Sequence, residues 1–136
     1  MMGFGMAAKN QLEDEVRRDV QEYLGTPLAP GDVVVGRRED GSPLSRHFDL
    51  VSPDGAVIGS IQTSCLRIKS RPGQKAFGSL YRVLGALLYL HLCHNCQRRY
   101  LILTDRDMYR EITTEFAHSF PEVTILFWED IKPAKR

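Results

Sequence analysis

Residues 46–63 read Arg-His-Phe-Asp-Leu-Val-Ser-Pro-Asp-Gly-Ala-Val-Ile-Gly-Ser-Ile-Gln-Thr, and this stretch decides the fold. Two extended segments, residues 46–52 and 56–63, flank Ser52-Pro53-Asp54-Gly55. Proline presets the first turn dihedral and glycine accepts a positive one, so the chain is expected to double back as a hairpin. Asp49 then lies opposite Gly59 or Ser60. Side chains alternate along a strand, so Ser60 and Gln62 point to one face and Asp49 can share it. Phe48 and Leu50 are expected to bury the opposite side. A carboxylate is poorly favoured inside a strand, so Asp49 is either an edge charge or a functional group.

Upstream, Leu12, Val16, Val20 and Leu24 recur at helical spacing, which predicts an amphipathic helix over residues 10–24. Asn10 with Glu13 would cap its start, and Gly25 with Pro27 would end it. A short strand is expected at 33–36. Downstream come a basic loop, a largely apolar helix over 75–92 and an apolar strand over 99–104. A helix capped by Asp105 then runs to about residue 120, and a last strand covers 123–128. The order α-β-β-β-α-β-α-β, with a buried helix between a hairpin and an apolar strand, predicts an α/β fold: a central mixed sheet flanked by helices. Residues 1–8 and 132–136 are expected to be flexible.

The 136 residues, 43% hydrophobic and 26% charged, suit one domain with an adequate core. Neither a secretory signal nor an apolar run of membrane-spanning length is expected. Three cysteines fit a reducing cytoplasm rather than a disulfide framework. Net charge is +1, but its distribution is uneven. Residues 55–104 carry seven basic side chains and no carboxylate. Four of the seven, Arg67, Lys69, Arg71 and Lys75, crowd a loop rich in Ser, Pro and Gly. Such a loop either contacts a polyanion such as nucleic acid or is simply solvated.

Cys93-His94-Asn95-Cys96 is a single CxxC with only Cys65 left to help, too few ligands for a structural zinc. It follows a helix rather than opening one, unlike a redox pair. No glycine-rich phosphate loop occurs, and the four histidines form no grouping of recognisable catalytic spacing.

The element order and residues 48–63 resemble the PD-(D/E)XK nuclease superfamily, the restriction-endonuclease-like fold, over residues 12–128 as one domain. In that family a strand Asp is followed, after a turn, by Asp/Glu-x-Lys on the next strand. Asp49 matches the first acid and would be a metal ligand. Ser60 stands at the second acid and Gln62 at the lysine, so the motif is degenerate. Gln74 has Gly78 rather than tyrosine four residues on, so the family's Gln-x-x-x-Tyr is not reproduced. The resemblance implies Mg²⁺ or Mn²⁺ if the protein is active, and no cofactor otherwise. Glu13 or Glu15 would then supply the missing carboxylate.

Three functions follow as expectations. The first is nucleic-acid binding, to DNA above all, through Arg67, Lys69, Arg71 and Lys75 beside a weak or inactive cleavage site. The second is an active divergent endonuclease. The third is an interaction domain that keeps only the fold. A homodimer is implied by the resemblance, since cutting both strands of a duplex usually takes two centres.

Overall fold

The turn at residues 52–55 forms as its sequence predicts. The structure, a computed structural model, describes residues 2–134, with side chains from residue 8 onward. Gly55 has a φ of +72°, and its N–H donates to the Ser52 carbonyl at 2.9 Å. The Asp54 carboxylate accepts the Ser52 hydroxyl at 2.7 Å and the Ala56 amide at 3.0 Å. These two bonds hold its pKa below the usual carboxylate value, the Ala56 amide first.

Strands β1 (Ala29–Arg37), β2 (Pro43–Val51) and β3 (Val57–Gln62) form an antiparallel meander. Strands β4 (Arg67–Ile68) and β5 (Arg71–Lys75) make a separate small hairpin. Strands β6 (Arg98–Leu103) and β7 (Val123–Phe127) then extend the main sheet in parallel, in the order β1-β2-β3-β6-β7. Parallel neighbours need crossovers. Helix α2 (Phe77–Leu92) links β3 to β6, and α3 (Arg106–Glu115) links β6 to β7. Helix α1 (Met2–Leu24) and the short α4 (Trp128–Ile131) complete the set. This is the mixed α/β sheet flanked by helices that the sequence predicts.

Covered on both faces, β3 is buried at five of its six positions and β6 at its last four, as the inner strands of a helix-covered sheet are. On one face Val16 and Val20 of α1 pack with Leu50, Val57, Ile61 and Ile102. On the other, Leu80, Val83, Leu87 and Leu90 of α2 join Met108 and Ile112 of α3 against Ile58, Leu101 and Leu103. Gly59 sits where its neighbours leave no room for a side chain. A Cβ there would lie 2.8 Å from Leu50 Cδ1 and 3.0 Å from the Tyr100 carbonyl.

Several expected boundaries shift. Helix α1 begins upstream of residue 10, so Asn10 lies inside the helix instead of capping it, and residues 2–8 are helical rather than flexible. Residues 1, 135 and 136, also expected to be flexible, lie outside the described residues. Lys132 is tied down by Glu129 at 2.8 Å. Strand β1 is longer than predicted. The helix capped by Asp105, whose carboxylate accepts the Met108 amide at 2.9 Å, ends at Glu115, and a 3₁₀ turn over Ala117–Ser119 follows. Trp128 opens α4 rather than closing β7, and its Nε1 donates to Asp19 of α1 at 2.7 Å. Among the described residues no helix is long and apolar enough to cross a membrane.

Candidate functional site

Pairing between β2 and β3 covers Leu50 with Gly59 and Val51 with Ile58, then stops. Beyond that point β3 stays with β6 as far as Gln62 and Leu103, and β2 stays with β1. The two strands therefore part at Asp49, leaving the Ile61 amide without a ladder partner on that side. Asp49 Oδ2 accepts this amide at 2.7 Å. At the same place the β1–β2 pairing slips, from Gly31 opposite Phe48 to Ala29 opposite Val51, and the side-chain phase of β2 changes. Phe48 packs with the α2 cluster and Leu50 with the α1 cluster, so the two do not share a face as expected.

The Ser60 hydroxyl donates to Asp49 Oδ2 at 3.4 Å and accepts Gln62 Nε2 at 2.9 Å. Asp49, Ser60 and Gln62 thus form one hydrogen-bonded chain. Glu13 of α1 joins them: all four border a single cavity of about 480 Å³. Glu15 does not line it. Burial first, and the Asp49 carboxylate second, push the Glu13 pKa above its ordinary value, with Lys9 and Arg17 pulling the other way. Glu13 is free for this because α1 starts well upstream, so it has no helix end to cap.

Three cations at the cavity carry no role in the sequence reading. Lys9, one helical turn before Glu13, approaches it at 3.9 Å. Arg46 lies 4.9 Å above the Tyr89 ring, and both line the cavity. Arg82 borders it beside Ser64. The i,i+4 spacing of Lys9 and Glu13 was a usable signal. Arg82 lay within the carboxylate-free segment but on a helix that reads as core. Tyr89 left no trace beyond being aromatic.

The basic loop is corrected in part. Residues 67–75 form the β4–β5 hairpin, closed by the Ala76 amide on the Leu66 carbonyl at 2.6 Å. Lys75 is not free to reach a ligand, because Glu111 of α3 pairs with it at 2.8 Å. Arg67 lines a different, smaller cavity with Asp107 and Glu111. Lys69 and Arg71 are exposed.

Among the described residues no group of three or more His, Cys, Asp or Glu side chains is arranged to hold a metal ion. The donor set at the cavity is two carboxylates, and one Asp49 oxygen already accepts two hydrogen bonds. Mg²⁺ wants near-octahedral oxygen coordination, and these residues do not fit it. Cys93 and Cys96 belong to the core rather than to a polar helix end. Burial, then the neighbouring Cys93, push the Cys96 thiol up to about 11.

No protein-family model matches the chain, and no solved structure matches it. Among curated proteins, the "Ribonuclease III domain-containing protein RNC1, chloroplastic" of Oryza sativa subsp. japonica is 30% identical over 94 residues. That match takes in 69% of this chain and 17% of the rice protein. The chain thus spans less than a fifth of the relative's length.

Proposed function

We propose that this chain is a nucleic-acid-binding protein of the PD-(D/E)XK, restriction-endonuclease-like kind, with a degenerate cleavage centre. The observation that carries the reading is the meeting of Asp49, Ser60, Gln62 and Glu13 at one cavity rimmed by Lys9, Arg46 and Arg82. Asp49, Ser60 and Gln62 are the three positions the resemblance singles out, and they come together where the hairpin strands separate. Lysine and arginine at the rim suit a phosphate backbone, whose neutralisation supplies most non-specific affinity. The rice relative's name, with its ribonuclease III domain, supports an association with nucleic acid and leaves the choice between RNA and DNA to experiment. Ser60 in place of an acid is the reason that no hydrolytic step is assigned: its hydroxyl is committed to Asp49 and Gln62 and adds no charge for a divalent ion.

One observation favours a second reading. Glu13 stands close enough to Asp49 for repulsion to raise its pKa, so a helix carboxylate accompanies the strand carboxylate as an active divergent endonuclease would require. Such an enzyme would also be expected to pair into a homodimer. Incubating the protein with supercoiled plasmid or structured RNA and Mn²⁺ decides between the two. Substrate retained and shifted but uncut fits the degenerate centre. Cleavage that disappears in both Asp49→Asn and Glu13→Gln fits the second reading. Substrate neither bound nor cut contradicts both.

A further inference from the structure

The outer face of α2 carries two exposed aromatic rings near its start that the folded core does not use, and half-buried Tyr89 near its end. Phe77 is 55% exposed and Tyr81 64% exposed, and their ring centroids stand 6.1 Å apart. The helix buries Leu80, Val83, Leu87 and Leu90 on its inner side, and the outer side of such a helix is ordinarily polar. Phe77, Tyr81, Gly85 and Tyr89 follow one another at four-residue intervals, so they form a ridge that winds about a third of the way round the helix over about 18 Å. The ridge starts immediately after the β4–β5 hairpin. It ends in the cavity, which Gly85 and Tyr89 line. Nothing lies within 4 Å of where a Gly85 Cβ would stand, so the surface is open between the rings.

We propose that this face is a stacking surface for unpaired nucleotides, carrying a single strand from the basic hairpin to the cavity; the inference rests on the nucleic-acid reading above and gives it a substrate class. Exposed aromatic rings interleaved with cations are what sequence-tolerant single-strand binding uses, since every base has a face to stack and every nucleotide a phosphate. Arg82 follows Tyr81 directly, Lys69 and Arg71 lie in the preceding hairpin, and residues 55–104 contain no carboxylate. The charge argues against a second copy on this face. A twofold pairing across α2 would bring one Arg82 toward the other on a helix that carries no acid of its own, at a cost in unpaired charge. A duplex keeps its bases stacked inside and offers the rings nothing.

Fluorescence anisotropy tests this, with oligothymidine, oligouridine and a duplex of matching length as probes. The proteins are wild type, Phe77→Ala and Tyr81→Ala, both exposed positions, with circular dichroism to verify the fold. Each truncation is expected to weaken single-strand binding by roughly tenfold, with the salt dependence and duplex binding unchanged. Unaltered single-strand affinity, or equal losses on the duplex, would overturn the inference. If duplex binding then still weakens with salt, the nucleic-acid reading stands without it. Failure to bind either form removes both. A wild type that sediments as a dimer and a Tyr81→Ala variant that sediments as a monomer would assign the face to self-association and overturn it.

Discussion

Asp49 Oδ2 holds the Ile61 amide at 2.7 Å, at the point where β2 and β3 cease to pair. A carboxylate thus takes over where the ladder ends, and it does so inside the cavity. Truncating it leaves a partly buried N–H unsatisfied, which costs about 1–3 kcal/mol. Asp49→Ala is expected to lower the urea midpoint accordingly. Asp49→Asn keeps an acceptor and should lose about half as much, since ionised partners make bonds roughly twice as strong. Equal stability of Asp49→Ala and wild type would contradict this pairing.

Glu13 gives the protein a pH signature. Its folded-state pKa is raised from an ordinary 4.5, by burial and then by Asp49. The folded state therefore holds that proton more tightly than the unfolded chain does. The resulting stabilisation is fully present below the unfolded value and is lost as pH rises through the folded one. Thermal unfolding of wild type, compared with Glu13→Gln from about pH 4 to pH 7, should show wild type losing ground as pH rises. Asp49→Asn should lower the Glu13 pKa in an NMR titration. A pH-independent difference would contradict the assignment.

Gly59 is required by space. A methyl there meets Leu50 Cδ1 at 2.8 Å and the Tyr100 carbonyl at 3.0 Å, and a backbone oxygen in a central sheet has little room to move. Gly59→Ala is expected to destabilise by about 1–3 kcal/mol, as overpacking does. A melting temperature at or above wild type would show that the strands can spread.

The cysteines separate by burial. Cys65 is exposed, whereas Cys93 and Cys96 are buried. An aromatic disulfide reagent should titrate one thiol in the native protein and three after unfolding. Three rapid native thiols would contradict the core placement.

The hairpin was legible because Pro53 and Gly55 fix its turn, which depends on local residues alone. That turn places Asp49 near Ser60 and Gln62, and side-chain hydrogen bonds join the three beyond the last paired residues. What the sequence hid depends on contacts distant in the chain. Residues 2–9 carry weak helical signals and are held in a helix that continues into Val16 and Val20, whose burial organises α1. The phase shift between Phe48 and Leu50 accompanies a register slip against β1, a strand whose pairing neither residue's neighbours announce. The neutralisation of Lys75 depends on Glu111, 36 residues away, which no local count of basic residues could include. Arg46 comes from β2 and Arg82 from α2, so their meeting at the cavity is a tertiary event with no mark in either residue's neighbourhood.

The cations around the cavity are expected to engage a nucleic-acid backbone. The salt dependence of binding to a labelled oligonucleotide, measured for wild type, Arg82→Gln and Lys75→Gln, tests it most directly. Affinity should fall linearly on a log–log plot, and Arg82→Gln should flatten the slope by about one unit. Lys75→Gln should leave it unchanged, because Glu111 already neutralises that lysine. Absence of binding at low salt, or a slope indifferent to Arg82 and sensitive to Lys75, would contradict it.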